Sequence, residues 1–133
     1  MAERGLIVDD DDIVRESLSA VLQNRGFAFQ QAADREQALQ RLGEQEFDVV
    51  ITDLKMPKIN GIELLKSIKD QRPETIVILI TSYASAETAV NAMKEGAYDY
   101  IEKANIHDEL RKVVRTALMD KGLITDVSVE KIM

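Results

Sequence analysis

Short apolar runs alternate with helical apolar patterns along most of the chain. The runs at 6–8, 49–51 and 76–80 are too short for core helices and predict buried strands. Between them, apolar residues recur at three- and four-residue spacing, which is typical of helices that bury one face. Five strand–helix pairs in this order predict an α/β domain with a five-stranded parallel sheet. The run 76–80 contains no polar residue, which indicates helices on both faces of the sheet.

Caps and helix breakers give approximate boundaries for these elements. The stretch from Asp34 to Gln37 resembles a capping box, Asn60 with Glu63 can cap the third helix, and Asn105 can cap the last. The predicted strands are 6–8, 27–32, 49–51, 76–80 and 98–102, and the apolar stripes of the predicted helices lie at 14–22, 38–42, 64–68, 89–93 and 110–118. Residues 1–121 are predicted to form one domain, and 122–133 a linker or the truncated start of an output region.

Composition excludes several classes of function. The chain has no cysteine, so a disulfide framework, a thiolate metal site and a cysteine nucleophile are excluded. Its one histidine, His107, cannot build a histidine-rich metal site. The net charge of −7 argues against direct binding of nucleic acid by this domain, because phosphate binding needs a positive patch. No apolar run is long enough to span a bilayer, and the N-terminus lacks the apolar core of a signal peptide, so we expect no membrane association and a cytoplasmic location.

Candidate chemistry lies just beyond the predicted strands. Asp9 and Asp10 follow the first strand, Asp53 the third, Thr81 the fourth and Lys103 the fifth. In parallel sheets the ligand site lies beyond the carboxyl ends of the strands, so these side chains are predicted to meet. Carboxylate oxygens are hard ligands, and we expect them to bind Mg²⁺, which needs few protein ligands and keeps waters and phosphate oxygens.

Asp53 is the predicted nucleophile, since it stands alone at its strand end. A carboxylate can attack a phosphoryl group and form an acyl phosphate. Such transfer depends on positioning and on charge neutralisation, which Mg²⁺, Lys103 and the Thr81 hydroxyl can supply. The sequence contains no glycine-rich phosphate loop, so the phosphoryl donor is expected to be another molecule.

A family resemblance rests on motifs that stand in order along the chain. They are Val8-Asp9-Asp10-Asp11, Asp53-Leu54-Lys55-Met56-Pro57 with Gly61, Thr81-Ser82, and Tyr100 with Lys103. Together they resemble the receiver domain of two-component response regulators, over about residues 4–120. The segments 80–83 and 96–100 look most like receivers of the nitrogen-regulation transcriptional activator class. The fold expected for such a domain is a flavodoxin-like (βα)5 arrangement with strand order 2-1-3-4-5.

The resemblance implies a role for each acidic residue of the site. Asp53 would accept a phosphoryl group from a histidine kinase. Asp9, Asp10 and Asp53, together with the backbone carbonyl of Lys55, would hold Mg²⁺. At most the domain would catalyse its own phosphorylation and dephosphorylation, so it is not expected to be a conventional enzyme.

The resemblance also implies a switch and an output surface. Thr81 and Lys103 would contact the phosphoryl oxygens, Thr81 would shift toward them, and Tyr100 would turn inward behind it. This is a two-state element biased by a local charge. Helix 4, strand 5 and helix 5, roughly residues 86–121, would form the output face. There the domain is expected to dimerise or to dock an output domain in cis or a protein effector, and to control transcription.

One departure from the family pattern concerns the residue after Lys103. Receivers usually have Lys-Pro at this point, often with a cis bond, whereas this sequence has Lys103-Ala104. A cis bond before a residue other than proline costs about 3–4 kcal/mol, so a trans bond and a different approach of Lys103 are expected.

Three other functions fit parts of the sequence. A haloacid-dehalogenase-like phosphatase would need a second aspartate two residues after Asp53, where Lys55 stands. A flavodoxin-like cofactor binder would need a phosphate-binding loop after the first strand, where an acidic cluster stands instead. A receiver-like docking module that works without phosphorylation stays open as an alternative.

Overall fold

The described residues form one parallel sheet between two layers of helices. The computed structural model describes residues 4–23, 28–53, 55–56, 59–82 and 86–120. Its main elements are β1 (Arg4–Val8), α1 (Asp12–Gln23), β2 (Ala28–Ala32), α2 (Arg35–Glu44), β3 (Val49–Asp53), α3 (Gly61–Gln71), β4 (Ile76–Thr81), α4 (Ala86–Lys94), β5 (Asp99–Glu102) and α5 (Ile106–Asp120). The strand order is β2-β1-β3-β4-β5, and every neighbouring pair is parallel. The predicted fold class and strand order are therefore confirmed.

Two apolar cores lie on the two faces of the sheet. Along β4, Val77 and Leu79 point to one face, where residues of α2, α3 and α4 cover them. Ile78 and Ile80 point to the other face and pack against residues of α1 and α5. Successive strand side chains alternate between faces, so an uninterrupted apolar run is needed where both faces are buried. Among the described helices, none combines the length and apolar character needed to cross a bilayer.

Several local boundaries differ from the predicted ones. Asp34 caps α2 by accepting from the Gln37 amide at 2.8 Å. In a capping box the Gln37 side chain would accept from the Asp34 amide, but here its Oε1 accepts from the Ala33 amide instead. Asn105, predicted as a helix cap, closes a 3-10 turn, Lys103–Asn105, that leads directly into α5. Part of the loop predicted after Asp53 pairs as a two-stranded antiparallel ribbon, Lys55–Met56 with Ile59–Asn60. The predicted strand residue 27 and the tail 122–133 lie outside the described residues.

Gly5 allows an aromatic side chain of β2 to lie across β1. Gly5 is the register partner of Phe29, and a methyl group at Gly5 would stand 2.5 Å from Cζ and 2.6 Å from Cδ2 of that ring. We therefore expect Gly5→Ala to lower the free energy of unfolding by about 2 kcal/mol, as for an overpacked core. Urea denaturation measures this loss, and the smaller side chain of Phe29→Leu should recover part of it in the double variant. Equal stability of Gly5→Ala and the wild type would contradict the close packing.

A hydrogen bond joins the start of β5 to the end of α5. The Tyr98 hydroxyl donates to Asp120 Oδ2 at 2.5 Å. Burial, together with this hydrogen bond, raises the pKa of Tyr98 to about 12. The protonated phenol is thus favoured in the folded state. The stability that it contributes is complete below the unfolded pKa of about 10 and is lost as pH rises toward the folded value.

We expect Tyr98→Phe to lower the free energy of unfolding by about 1 kcal/mol at neutral pH. The gap between wild type and variant should close as pH rises from about 10 to about 12, because only the wild type loses the phenol proton there. Urea midpoints at a series of pH values measure the gap. A gap that stays constant to the alkaline limit would show that the hydrogen bond contributes nothing to stability.

Candidate functional site

Four strand ends form the site at the carboxyl edge of the sheet. Val8 lies opposite Thr52 in the register of β1 and β3, so the next residues, Asp9 and Asp53, come side by side. Asp10 follows directly. Each of these three aspartates offers a carboxylate oxygen, and the three oxygens lie within 4.8 Å of one another. The parallel sheet therefore brings together the three acidic residues that sequence reasoning singled out.

Asp9 is the buried member of the cluster, with 1% of its surface exposed. Its Oδ1 accepts from the Asp11 amide at 2.9 Å. Its Oδ2 is buried and accepts no hydrogen bond from the described residues, although Lys103 Nζ lies 3.4 Å away. Burial raises the pKa of Asp9, and the charge of Asp53 adds to this, while the Asp11 amide and Lys103 oppose it. An anion here is costly without further positive charge.

Lys103 reaches the cluster from the end of β5. Its Nζ donates to Asp53 Oδ2 at 2.7 Å. Burial alone would lower the pKa of Lys103, but the hydrogen bond to Asp53 and the charges of Asp53 and Asp9 outweigh it and raise the pKa. The Lys103–Ala104 peptide is trans, since the described residues contain no cis bond. A trans bond without proline thus still brings the ammonium group to the carboxylates.

The other predicted site residues occupy different positions around the cluster. Thr81 is buried at the end of β4, and its register partner is Glu102, the residue before Lys103. Tyr100 pairs with Leu79 further down the sheet, and 38% of its surface is exposed. Lys55 belongs to the short ribbon two residues after Asp53, where only its backbone is described. Tyr100 therefore faces solvent here rather than the space behind Thr81.

The donor set fits a hard divalent cation. All three groups are carboxylates, the ligand type that suits Mg²⁺ and Mn²⁺. Among the described residues, the Lys103 ammonium group pairs with Asp53 and Asp9, so three carboxylates face one cation within this part of the structure. The buried, unsatisfied Oδ2 of Asp9 supplies an acceptor that a cation would complete. Charge, donor chemistry and the orphaned oxygen all favour a metal at this position.

Two residues near the site, one just before α1 and one in its first turn, contact the backbone, and the sequence indicates only the first of these contacts. Asp11 caps α1, with Oδ1 accepting from the Ile13 amide at 2.9 Å. Arg15 folds back from the first turn of α1 and donates to the Asp9 carbonyl at 2.6 Å. An acid before a helix is a visible cap signal. A contact to a backbone carbonyl leaves no such signal in the residue pattern, so Arg15 could not have been found in this way.

The sequence pattern of the family described as response regulator receiver domain matches residues 6–115. The chain belongs to the receiver domain family. The match runs from the middle of β1 through most of α5 and includes every strand end of the candidate site. The resemblance stated from the motifs is therefore confirmed.

Individual relatives agree with this assignment. The regulatory protein AtoC of Escherichia coli K12 is 43% identical over 124 residues, which cover 93% of this chain and 27% of AtoC. A receiver domain protein from Clostridium thermocellum aligns with a TM-score of 0.84 at 31% identity, over 92% of this chain and 99% of its own. The receiver domain of NtrX from Brucella abortus aligns with a TM-score of 0.81 at 34% identity, over 86% of this chain and 98% of its own. The chain spans about a quarter of the length of the curated relatives it matches.

Proposed function

We propose that this receiver domain accepts a phosphoryl group on Asp53 from a histidine kinase, with Mg²⁺ held by Asp9, Asp10, Asp53 and the backbone carbonyl of Lys55. The observation that supports this most strongly is the convergence of three carboxylates and the Lys103 ammonium at one sheet edge. Phosphoryl transfer needs chiefly positioning and charge stabilisation, and these groups supply both. When bound, the magnesium ion contributes positive charge that offsets the charge of the phosphoryl oxygens.

Each residue has a distinct task in this transfer. An Asp53 carboxylate oxygen attacks phosphorus, the new P–O bond forms, and the P–N bond to the kinase histidine breaks with the electron pair returning to the imidazole. Before the transfer, Lys103 donates a hydrogen bond to Asp53 Oδ2. Its ammonium group therefore has to move from that oxygen to the phosphoryl oxygens. The Thr81 hydroxyl donates to the same oxygens from the end of β4. After the transfer, Asp53 carries the phosphoryl group as an acyl phosphate.

The signal then passes to the face made by α4, β5 and α5. Tyr100 lies on β5 with its side chain exposed, and Val90 and Met93 expose apolar surface on α4. When Thr81 moves toward the phosphoryl group, Tyr100 turns inward and the shape of this face changes. A homodimer through this face, an output domain in cis or a protein effector reads the change. Relatives such as AtoC are about three and a half times as long as this chain, which favours an output region in cis. The resemblance to receivers of nitrogen-regulation transcriptional activators favours control of transcription, and the proposed location is the cytoplasm.

The proposal predicts that Asp53→Asn abolishes phosphoryl acceptance. The protein is incubated with a small phosphodonor and Mg²⁺, and its intact mass is measured. The wild type should gain one phosphoryl mass only with Mg²⁺, and Asp53→Asn should gain none, because an amide is not a nucleophile for phosphorus. Asp70→Asn, an exposed α3 variant, is the matched control and should react like the wild type. No gain in the wild type would favour a docking module that works without phosphorylation.

A further inference from the structure

Arg15 closes the loop that presents two of the proposed metal ligands. One guanidinium nitrogen, Nη1, donates to the carbonyl oxygen of Asp9 at 2.6 Å, and the other, Nη2, donates to Oδ1 of Asp12. Only 11% of the Arg15 side chain is exposed, whereas 81% of the Asp12 side chain is. The guanidinium group thus lies under the β1–α1 loop and bonds to both of its ends.

The loop between these two contacts carries Asp10. Inside it, the Asp11 amide donates to Asp9 Oδ1 and the Asp11 carboxylate caps α1. Asp10 itself is exposed, and its carboxylate oxygen lies within 4.8 Å of those of Asp9 and Asp53. The direction of its side chain follows from the backbone of the loop, so a clamp at both loop ends restricts where the Asp10 carboxylate points.

We propose that Arg15 is a positioning residue that fixes Asp9 and Asp10 for Mg²⁺ binding, a role that rests on the proposed function. Arg15 does not touch the ion or the phosphoryl group; it acts through the Asp9 carbonyl and Asp12. Residues that do not touch the metal but hold its ligands in place typically cost about 10–100-fold in metal affinity when they are replaced. A planar guanidinium can bond two acceptors in a fixed geometry, which the single ammonium of a lysine cannot do.

A charge effect would act in the opposite direction from a positioning effect. Arg15 carries a positive charge beside a cation site, so its removal would strengthen Mg²⁺ binding if charge alone mattered. If positioning matters, removal weakens binding, and a lysine that keeps the charge but loses the two-point contact weakens it as well. The two variants Arg15→Met and Arg15→Lys therefore separate the two effects.

Calorimetric titration of the full chain with Mg²⁺ tests the proposal. We expect both Arg15 variants to bind about tenfold more weakly than the wild type. Arg72→Met, which removes a pair with Glu46 between the α2–β3 and α3–β4 connections, is the control and should bind within about twofold of the wild type. Without metal, the Asp11 and Ile13 amides should exchange hydrogen faster in both Arg15 variants, since the loop that holds them is no longer closed. Circular dichroism identifies any variant that fails to fold, and Arg15→Lys then carries the test.

Two results would overturn the role of Arg15. One is affinity within about twofold of the wild type in both variants, and the other is tighter binding by Arg15→Met with unchanged binding by Arg15→Lys. Failure of the proposed function is recognised separately, because the wild type itself would then bind no Mg²⁺ and gain no phosphoryl mass.

Discussion

Replacing Asp10 by asparagine is expected to weaken Mg²⁺ binding by about 100-fold or more, the largest effect that the site predicts. The substitution keeps the size of the side chain and removes one negative charge at contact distance from a divalent ion. Asp10 is exposed, so the change to asparagine buries no new polar group. Calorimetric titration measures the affinity, and Asp70→Asn on the surface of α3 is the matched control.

The same substitution should leave the protein without metal as stable as the wild type or slightly more stable. Three carboxylate oxygens within 4.8 Å repel one another, and Lys103 pairs with two of the three groups, Asp53 and Asp9. Removing one charge relieves part of that repulsion. A variant with normal Mg²⁺ affinity, or one that is destabilised only in the absence of metal, would contradict the assignment of Asp10 as a ligand.

Replacing Lys103 by methionine should lower the free energy of unfolding without metal by about 2–3 kcal/mol. The ammonium group bonds Asp53 Oδ2 at 2.7 Å and lies 3.4 Å from Asp9 Oδ2. Both carboxylates are buried, so removal of the cation leaves two close negative charges with reduced compensation. Saturating Mg²⁺ should recover most of the loss, because it supplies positive charge at the same oxygens. Urea denaturation with and without Mg²⁺ measures both effects.

Lys66→Met provides the comparison for this result. Lys66 pairs with Glu95 at 3.7 Å, and both side chains are largely exposed. An exposed ion pair contributes about 0–1 kcal/mol, so the free energy of unfolding of this variant should differ little from that of the wild type. Mg²⁺ should stabilise the variant and the wild type by the same amount. If Lys103→Met were no less stable than Lys66→Met, the Lys103 ammonium group would contribute no more to stability than an exposed ion pair does, which would contradict the prediction.

Most of the fold could be predicted because its signals are local. The apolar run 76–80 indicates a strand covered on both faces, and the alternation of strands with helical stripes leaves few arrangements for a parallel sheet. The positions of Asp9, Asp53 and Lys103 at strand ends then follow from the sheet itself. The short ribbon after Asp53 was not predicted, since two-residue strands carry too few side chains for any periodicity.

The unequal environments of the two adjacent aspartates could not be read from the sequence. Asp9 is buried and Asp10 is exposed, because consecutive residues at a strand end point in different directions. The contact of Arg15 with the Asp9 carbonyl depends on how the chain turns between β1 and α1. Such contacts are set by backbone direction, which the order of residue types does not record.

The most direct test of the central claim is the position of a divalent ion in crystals soaked with Mn²⁺, which takes the same oxygen ligands as Mg²⁺. Its anomalous signal should lie between the Asp9, Asp10 and Asp53 carboxylates, about 2.1 Å from the ligand oxygens, with the Lys55 carbonyl as a further ligand. A signal elsewhere, such as at Asp11 and Asp12, or none at saturating Mn²⁺, would contradict the proposed magnesium site.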